Sequence, residues 1–206
     1  MSELDGGLRA RLVKVGVDLV SREGSGVLSL REIARRAGVS HGAPRRYFPT
    51  HQALLAAIAR EGYLHLGQQV AELVGDDDAD PYAQLLALGR LYVKFAQANR
   101  GMFELMFRHD LLRGNGMGLR EASGPLFEVL VGLVTRARPT PPGGSAPSVV
   151  AGALWANLHG IAQLWLWGSL QTVVATDDVE SLLRAALDAH LPRTTQPLTI
   201  HHTGAA

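Results

Sequence analysis

The chain has 206 residues, 47% apolar and 19% charged, with a formal net charge of +1 at pH 7, a composition ordinary for a soluble globular protein and unlike that of a disordered chain. Its count of zero cysteines excludes disulfides, thiolate metal sites and thiol nucleophiles. The opening residues MSELDGG are acidic and lack an apolar signal region, so a cytoplasmic protein is expected.

In chain order, Leu8, Leu12, Val15 and Leu19 share one stripe and predict a first helix from Leu8 to about Arg22. Ser29 and Glu32 form a capping box: the hydroxyl accepts from the backbone three residues on, and the carboxylate reaches back to the cap amide. A helix therefore starts at Leu30, with Leu30, Ile33, Ala34 and Ala37 on one apolar face. Gly38 ends it in a left-handed conformation, and Ser40 restarts the chain as the next N-cap. Pro44 fits the first turn of a further helix from about His41 to Phe48, whose far end Tyr47 and Phe48 anchor. Helix, tight turn with glycine, helix between residues 29 and 48 is the helix-turn-helix pattern. Arg31, Arg35, Arg36, Arg45 and Arg46 stand there against the single acid Glu32, a balance suited to phosphate contact. Residues 1–70 carry ten Lys or Arg and six Asp or Glu, net +4, whereas residues 71–206 carry ten and thirteen, net −3, so the positive half is the half with this motif.

The rest of the chain also reads as helices. Thr50 caps one that runs through Leu54, Leu55 and Ile58 to about Leu73, before an acidic break at residues 75–80. Tyr82–Ala98, Met102–Leu112, Arg120–Arg138, Val149–Ala175 and Asp178–Leu191 follow, with a Pro- and Gly-rich loop at 139–147. No segment alternates with period two, so the expected fold is all-α with about nine helices. The run 139–176 contains no charged residue, which raises a membrane span over 149–175 as an alternative. Asn157, His159, Gln163, Gln171 and Thr172 inside it, and Trp155, Trp165 and Trp167 away from its ends, favour a helix buried by its own domain and by another subunit. Gly152, Ala156 and Gly160, four apart, leave one face small enough for a second helix to come close.

The segment IARRAGVSHGAPRRYFPTHQALL resembles, from Ile33 to Leu54, the DNA-binding segment of the TetR family of bacterial transcriptional regulators. That resemblance implies an N-terminal three-helix DNA-binding head (1–55, motif about 29–48), a C-terminal helical ligand-binding and dimerisation domain (56–192), and a tail at 193–206 expected to be disordered. It further implies a homodimer through the last two helices, about 148–191, and a repressor released from a palindromic operator in double-stranded DNA by a small effector. Trp155, His159 and Gly160 resemble the Trp and His-Gly positions of one C-terminal type of the family. The chain departs from the family pattern at Arg45, where Tyr is usual, and at His51, where Lys is usual; both positions commonly touch phosphate in the family.

The DNA-contact candidates are Ser40 and His41 at the start of the second motif helix, Ala43 and Pro44 for thymine methyls, Arg45 and Arg46 for phosphate or guanine, and Tyr47 and His51. Met102, Phe103, Met106, Phe107, Phe127, Trp155, His159 and Trp165 are the candidates for an effector pocket, and the scarcity of charge around them favours an apolar or aromatic effector. No cofactor or metal is expected. Gly38-Val-Ser40-His-Gly42 matches the G-x-S-x-G of serine hydrolases, but a nucleophile elbow needs a strand before it, and here a capped helix precedes it.

Overall fold

The computed structural model describes residues 3–75, 79–108, 118–138 and 144–191, and among them there is no strand. The helices are α1 (Glu3–Glu23), α2 (Leu30–Arg36), α3 (His51–Leu73), α4 (Pro81–Ala98), α5 (Arg100–Met106), α6 (Leu119–Ala137), α7 (Pro147–Leu166), α8 (Ser169–Val173) and α9 (Val179–His190), with 3-10 turns at Ser25–Val27 and Ala43–Arg46. The predicted all-α architecture is the one observed. The C-terminal part of the Met102–Leu112 helix and the tail at 193–206 lie outside the described residues.

One half of the expected capping box forms: Ser29 accepts from the Glu32 amide at 3.1 Å, but the Glu32 carboxylate turns to Arg35 and Arg36 in place of the Ser29 amide. Gly38 takes φ +66 so that the Val39 amide folds back onto the Ala34 carbonyl. The second motif helix is shorter than expected: in place of an α-helix over 41–48, a single 3-10 turn spans Ala43–Arg46. Pro44 has no N–H to give the Ser40 carbonyl, which accepts from Ala43 at 3.0 Å instead, and Tyr47 returns to the Pro44 carbonyl at 3.0 Å. Beneath the turn, Leu12, Leu19, Ile33, Phe48, Leu54 and Ile58 are fully buried. Gly16 of α1 lets Ile58 into this core, since a Cβ there would stand 2.3 Å from its Cδ1. The Arg9 guanidinium lies 5.5 Å from the centre of the Phe48 ring, tying α1 to the end of the motif.

Helix α3 leaves the head and packs against α4, α5 and α6, while α7 packs on α4, α6 and α9. Ion pairs hold α9 on α4: Glu180 accepts from Arg90 at 2.7 and 2.5 Å, and the Tyr82 hydroxyl donates to Asp188 at 2.7 Å. The long uncharged run is not one helix. Trp167 closes α7, and Gly168, at φ +74, turns the chain into the short α8. By length and composition α7 could cross a bilayer. One of its faces is nevertheless fixed in the body, where Val150, Ala151, Leu154, Leu158 and Ala162 are buried against α4, α6 and α9.

Helix α5 is pinned on two sides. A Cβ on Gly101 would lie 2.4 Å from the Val20 carbonyl oxygen and 2.9 Å from the Gly24 Cα, both backbone atoms of the head. A Cβ on Gly62 of α3 would lie 2.7 Å from the Met106 sulfur and 2.8 Å from Met102. Below these contacts the Tyr63 hydroxyl donates to the Met106 carbonyl at 2.8 Å, and burial pushes the phenol up to about 12. Gly101→Ala is expected to destabilise the protein by about 1–3 kcal/mol, because backbone cannot move aside as a side chain can. Gly132→Ala in α6, where nothing lies within 4 Å, is expected to stabilise it by roughly 0.5–1 kcal/mol through helix propensity; urea denaturation of the two variants measures both.

Candidate functional site

Two features stand out, one on each half of the chain. On the head, the five arginines of the motif divide into two groups. Arg35 donates to the Glu32 carboxylate at 2.8 and 2.6 Å, and Arg36 reaches the same carboxylate at 2.7 Å and Glu23 of α1 at 2.7 Å. These bonds, Arg35 first and Arg36 second, hold the Glu32 carboxyl down at about 2. Arg31, Arg45 and Arg46 are exposed and pair with no acid among the described residues, so of the five they are the ones left for an outside anion. Arg45 and Arg46 sit on the 3-10 turn, with Ser40 and His41 exposed just before it.

Other expected DNA contacts are placed differently. Pro44 is buried, with its carbonyl accepting from both Tyr47 and Phe48, and so belongs to the head core and not to the exposed face. Ala43 and Tyr47 are half-buried, and Tyr47 packs against that core. His51 stands at the start of α3, where its Nε2 lies 2.7 Å from the Leu28 carbonyl oxygen. A carbonyl can only accept, so Nε2 carries the proton and spends it inside the chain.

In the body, a cavity of about 240 Å³ opens between α3, α4, α6 and α7. Its wall is Tyr63, Leu66, Val70, Leu88, Tyr92, Phe107, Ser123, Gly124, Leu126, Phe127, Leu130, Trp155 and Leu158, without one charged side chain. Of the eight pocket candidates, Phe107, Phe127 and Trp155 line it. Phe103 and His159 stand in the layer behind: His159 stacks on Phe103 at 5.3 Å and meets Phe107 edge-on at 4.5 Å. Met102 and Met106 are instead spent on packing against Gly62, and the half-buried Trp165 is not in the wall.

Polar groups in or beside the cavity wall are few and mostly committed. Tyr92 stands 2.9 Å through its hydroxyl from His159 Nδ1, and Trp155 Nε1 donates to the same hydroxyl at 3.4 Å. Burial lowers His159 from its ordinary value and raises the Tyr92 phenol, so both are neutral at pH 7. Tyr63, Tyr92, Ser123 and the leucines of α4, α6 and α7 were not among the expected lining; the one signal for them was tyrosine on otherwise apolar helix faces. A larger open cleft of about 530 Å³ lies between α1 and α3, but Arg9 and Lys14 share it with Asp18 and Glu61, so it presents no single sign of charge.

A capped helix-turn-helix with free arginines, joined by a continuous helix to a body with an apolar cavity, is the architecture of a ligand-binding transcriptional regulator. Residues 12–58 match the family model described as bacterial regulatory proteins, tetR family, and residues 85–190 match tetracyclin repressor-like, C-terminal domain. The chain belongs to the TetR family. A protein of unknown function from Rhodococcus sp. RHA1 is 32% identical, with 89% of this chain and 93% of that chain covered and a TM-score of 0.73. RolR in complex with resorcinol is 21% identical, with 94% and 92% covered and a TM-score of 0.69. FadR of Thermus thermophilus, a transcriptional repressor in complex with lauroyl-CoA, is 20% identical, with 95% and 100% covered and a TM-score of 0.65. No curated protein matches the chain.

The Glu32 cluster predicts a pH response of the head. A carboxyl held at about 2 in the folded chain contributes stability that is complete above the ordinary value near 4.5 and is lost as pH falls toward 2. Glu32→Gln is expected to flatten the loss of stability between those values, with little change at pH 7 in the remaining slope; thermal melts across the range measure it.

Proposed function

We propose that the protein is a repressor that binds a palindromic operator as a homodimer and is released by a small neutral apolar or aromatic effector held in the body cavity. The observation that carries this reading is the position of that cavity. Its wall includes Phe107 at the end of α5, and the other end of α5 presses its Gly101 on the backbone of α1. A ligand that favours one seat of α5 thereby favours one seat of the head, and so one spacing between the two heads of a dimer. The absence of charge from the wall favours a neutral occupant, because a buried charge without a partner is costly. The resorcinol complex of the similarly folded RolR is in keeping with an aromatic one.

The dimer face we assign to about 148–191. On this stretch Val149, Trp167, Val173 and Val174 are 62, 59, 84 and 51% exposed, large apolar side chains that a second subunit would cover. On the same reading the head comprises residues 1–55 and the regulatory body 56–192, and the protein works in the cytoplasm, where its operator is. Arg45, Arg46 and Arg31 contact phosphate or base edges, with Ser40 and His41 at the approach to the turn, while His51 positions the start of α3. This division of labour differs from the family pattern at the two departing positions.

Fluorescence polarisation with DNA from upstream of the gene tests the proposal: binding should weaken steeply between 50 and 200 mM salt, and Arg45→Ala should weaken it on every sequence while reducing the salt slope by about 1. Absence of salt-dependent binding would sink the regulator reading. Light scattering at micromolar concentration should show a particle of two chains, and Val173→Asp should shift it toward one.

A further inference from the structure

The Trp155, Tyr92 and His159 side chains form a short hydrogen-bonded chain in which the direction of the Trp155 contact is fixed and that of the His159 contact follows the tautomer of the ring. An indole N–H can only donate, so the Tyr92 oxygen is the acceptor of the 3.4 Å contact from Trp155. The Tyr92 hydrogen then needs an acceptor of its own. His159 Nδ1, 2.9 Å away, takes that hydrogen in the neutral tautomer with the ring proton on Nε2, the tautomer we adopt. His159 is neutral because its surroundings offer no counter-charge: the side chains about it are Phe103, Phe107, Tyr92 and Trp155, and burial lowers its pKa.

One lone pair is left on the Tyr92 oxygen, and the only claim on the other is the long contact from Trp155. Both residues belong to the cavity wall. A hydroxyl whose hydrogen is already given to an imidazole is a better acceptor than a free one, because hydrogen bonds in a chain polarise each other. The other polar side chains of the wall are Ser123 on α6 and Tyr63 on α3, whose hydroxyl hydrogen goes to the Met106 carbonyl.

Resting on the reading of this cavity as the effector site, we propose that Tyr92 is the specificity-determining residue of the site and that it selects neutral aromatic molecules carrying a hydrogen-bond donor, above all a phenolic hydroxyl. The hydroxyl donates to the Tyr92 oxygen and its ring lies among Phe107, Phe127 and Trp155. His159 is a positioning residue: it does not touch the ligand but takes the Tyr92 hydrogen and so leaves an acceptor facing it. An aromatic ether of the same shape has an oxygen but no hydrogen to give, and pairs with nothing at this end of the cavity.

Two probes separate these cases, p-cresol and 4-methylanisole, with toluene as the apolar reference. p-Cresol is the tyrosine side chain itself, with a pKa of about 10, and is neutral at pH 7. Calorimetric titration of the intact protein should give p-cresol about tenfold tighter binding than 4-methylanisole, the size of one good hydrogen bond in a buried site. Tyr92→Phe should bring the two within about twofold. His159→Leu should do something a loss of packing would not: with no imidazole to take it, the Tyr92 hydrogen turns to the ligand and the preference moves toward 4-methylanisole. His159→Asn, whose side-chain oxygen can accept that hydrogen again, should restore the preference for p-cresol. The wild-type comparison needs no variant, so a Tyr92→Phe chain that failed to fold would leave the test intact.

Equal affinity of wild type for p-cresol and 4-methylanisole overturns the proposal while the cavity stands. Discrimination that survives Tyr92→Phe overturns it, in favour of Ser123 where Ser123→Ala removes it and of Tyr63 where Tyr63→Phe does. If none of the three probes, toluene included, binds, then the cavity reading itself falls and this proposal with it.

Discussion

The close seating of α5 between α1 and α3 is the contact on which the two halves depend. At Gly101 the neighbour is the Val20 carbonyl, and at Gly62 it is a pair of methionine side chains; one contact is rigid and the other compliant. A flexible thioether can change rotamer, but a helical carbonyl moves only with its helix. A displacement of α5 is thus absorbed on the α3 side before it is absorbed on the head side only if the methionines have somewhere to go, and Met102 and Met106 are already 4 and 0% exposed. The packed core leaves α1 as the element that must follow. The Tyr63 hydroxyl bond to the Met106 carbonyl fixes the far end of the same helix to α3 next to the cavity, so both ends of α5 are defined by contacts of known partners.

The electrostatics of the head follow from a similar division. Glu32 serves first as an N-terminal residue of α2 and then as the common acceptor for Arg35 and Arg36, and through Arg36 it joins α2 to Glu23 at the end of α1. Each pair is exposed enough for water and salt to weaken it. Its effect on function is one of subtraction: two arginines are occupied in holding the head together, leaving Arg31, Arg45 and Arg46 to face outward. The salt dependence of a DNA complex counts the phosphates actually neutralised, so of the five arginines of the motif it should reflect the three free ones.

The sequence made the helices legible where an apolar face and a cap coincide. Ser29, Thr50 and Asp178 each begin a helix, with the cap bonds in place, and Gly38 ends one with the expected positive φ. It was misleading where local chemistry interrupts an otherwise helical pattern. Pro44 turns the second motif helix into a 3-10 turn, and Gly168 breaks a run of apolar residues that periodicity alone treats as continuous. The cavity was the least legible feature. Periodicity says that Met102, Phe103, Met106 and Phe107 are on buried faces, yet it does not say which neighbour each meets; the first three fill space and the fourth borders an opening. A lining residue differs from a core residue by what is missing on its far side, and that depends on helices distant in sequence, as with Leu88 of α4 and Leu130 of α6 in one wall.

The energetics of coupling place a modest demand on the cavity. A tenfold change in operator affinity corresponds to about 1.4 kcal/mol of difference between the two states of the head, within the usual range for coupling between sites. Burying one further methylene is worth about 0.8 kcal/mol, so an effector that covers roughly two more carbons of wall in one seat of α5 than in the other suffices. Phe107 is the one wall residue at the end of α5 itself, and its ring also meets Tyr63, Tyr92, Phe103 and Trp155 edge-on or tilted. Apolar contact with most of the wall would be the same in both states and would tighten binding without shifting anything. On the proposed reading, what separates an effector from a mere occupant is contact with Phe107, the place where filling the cavity and seating α5 are the same event.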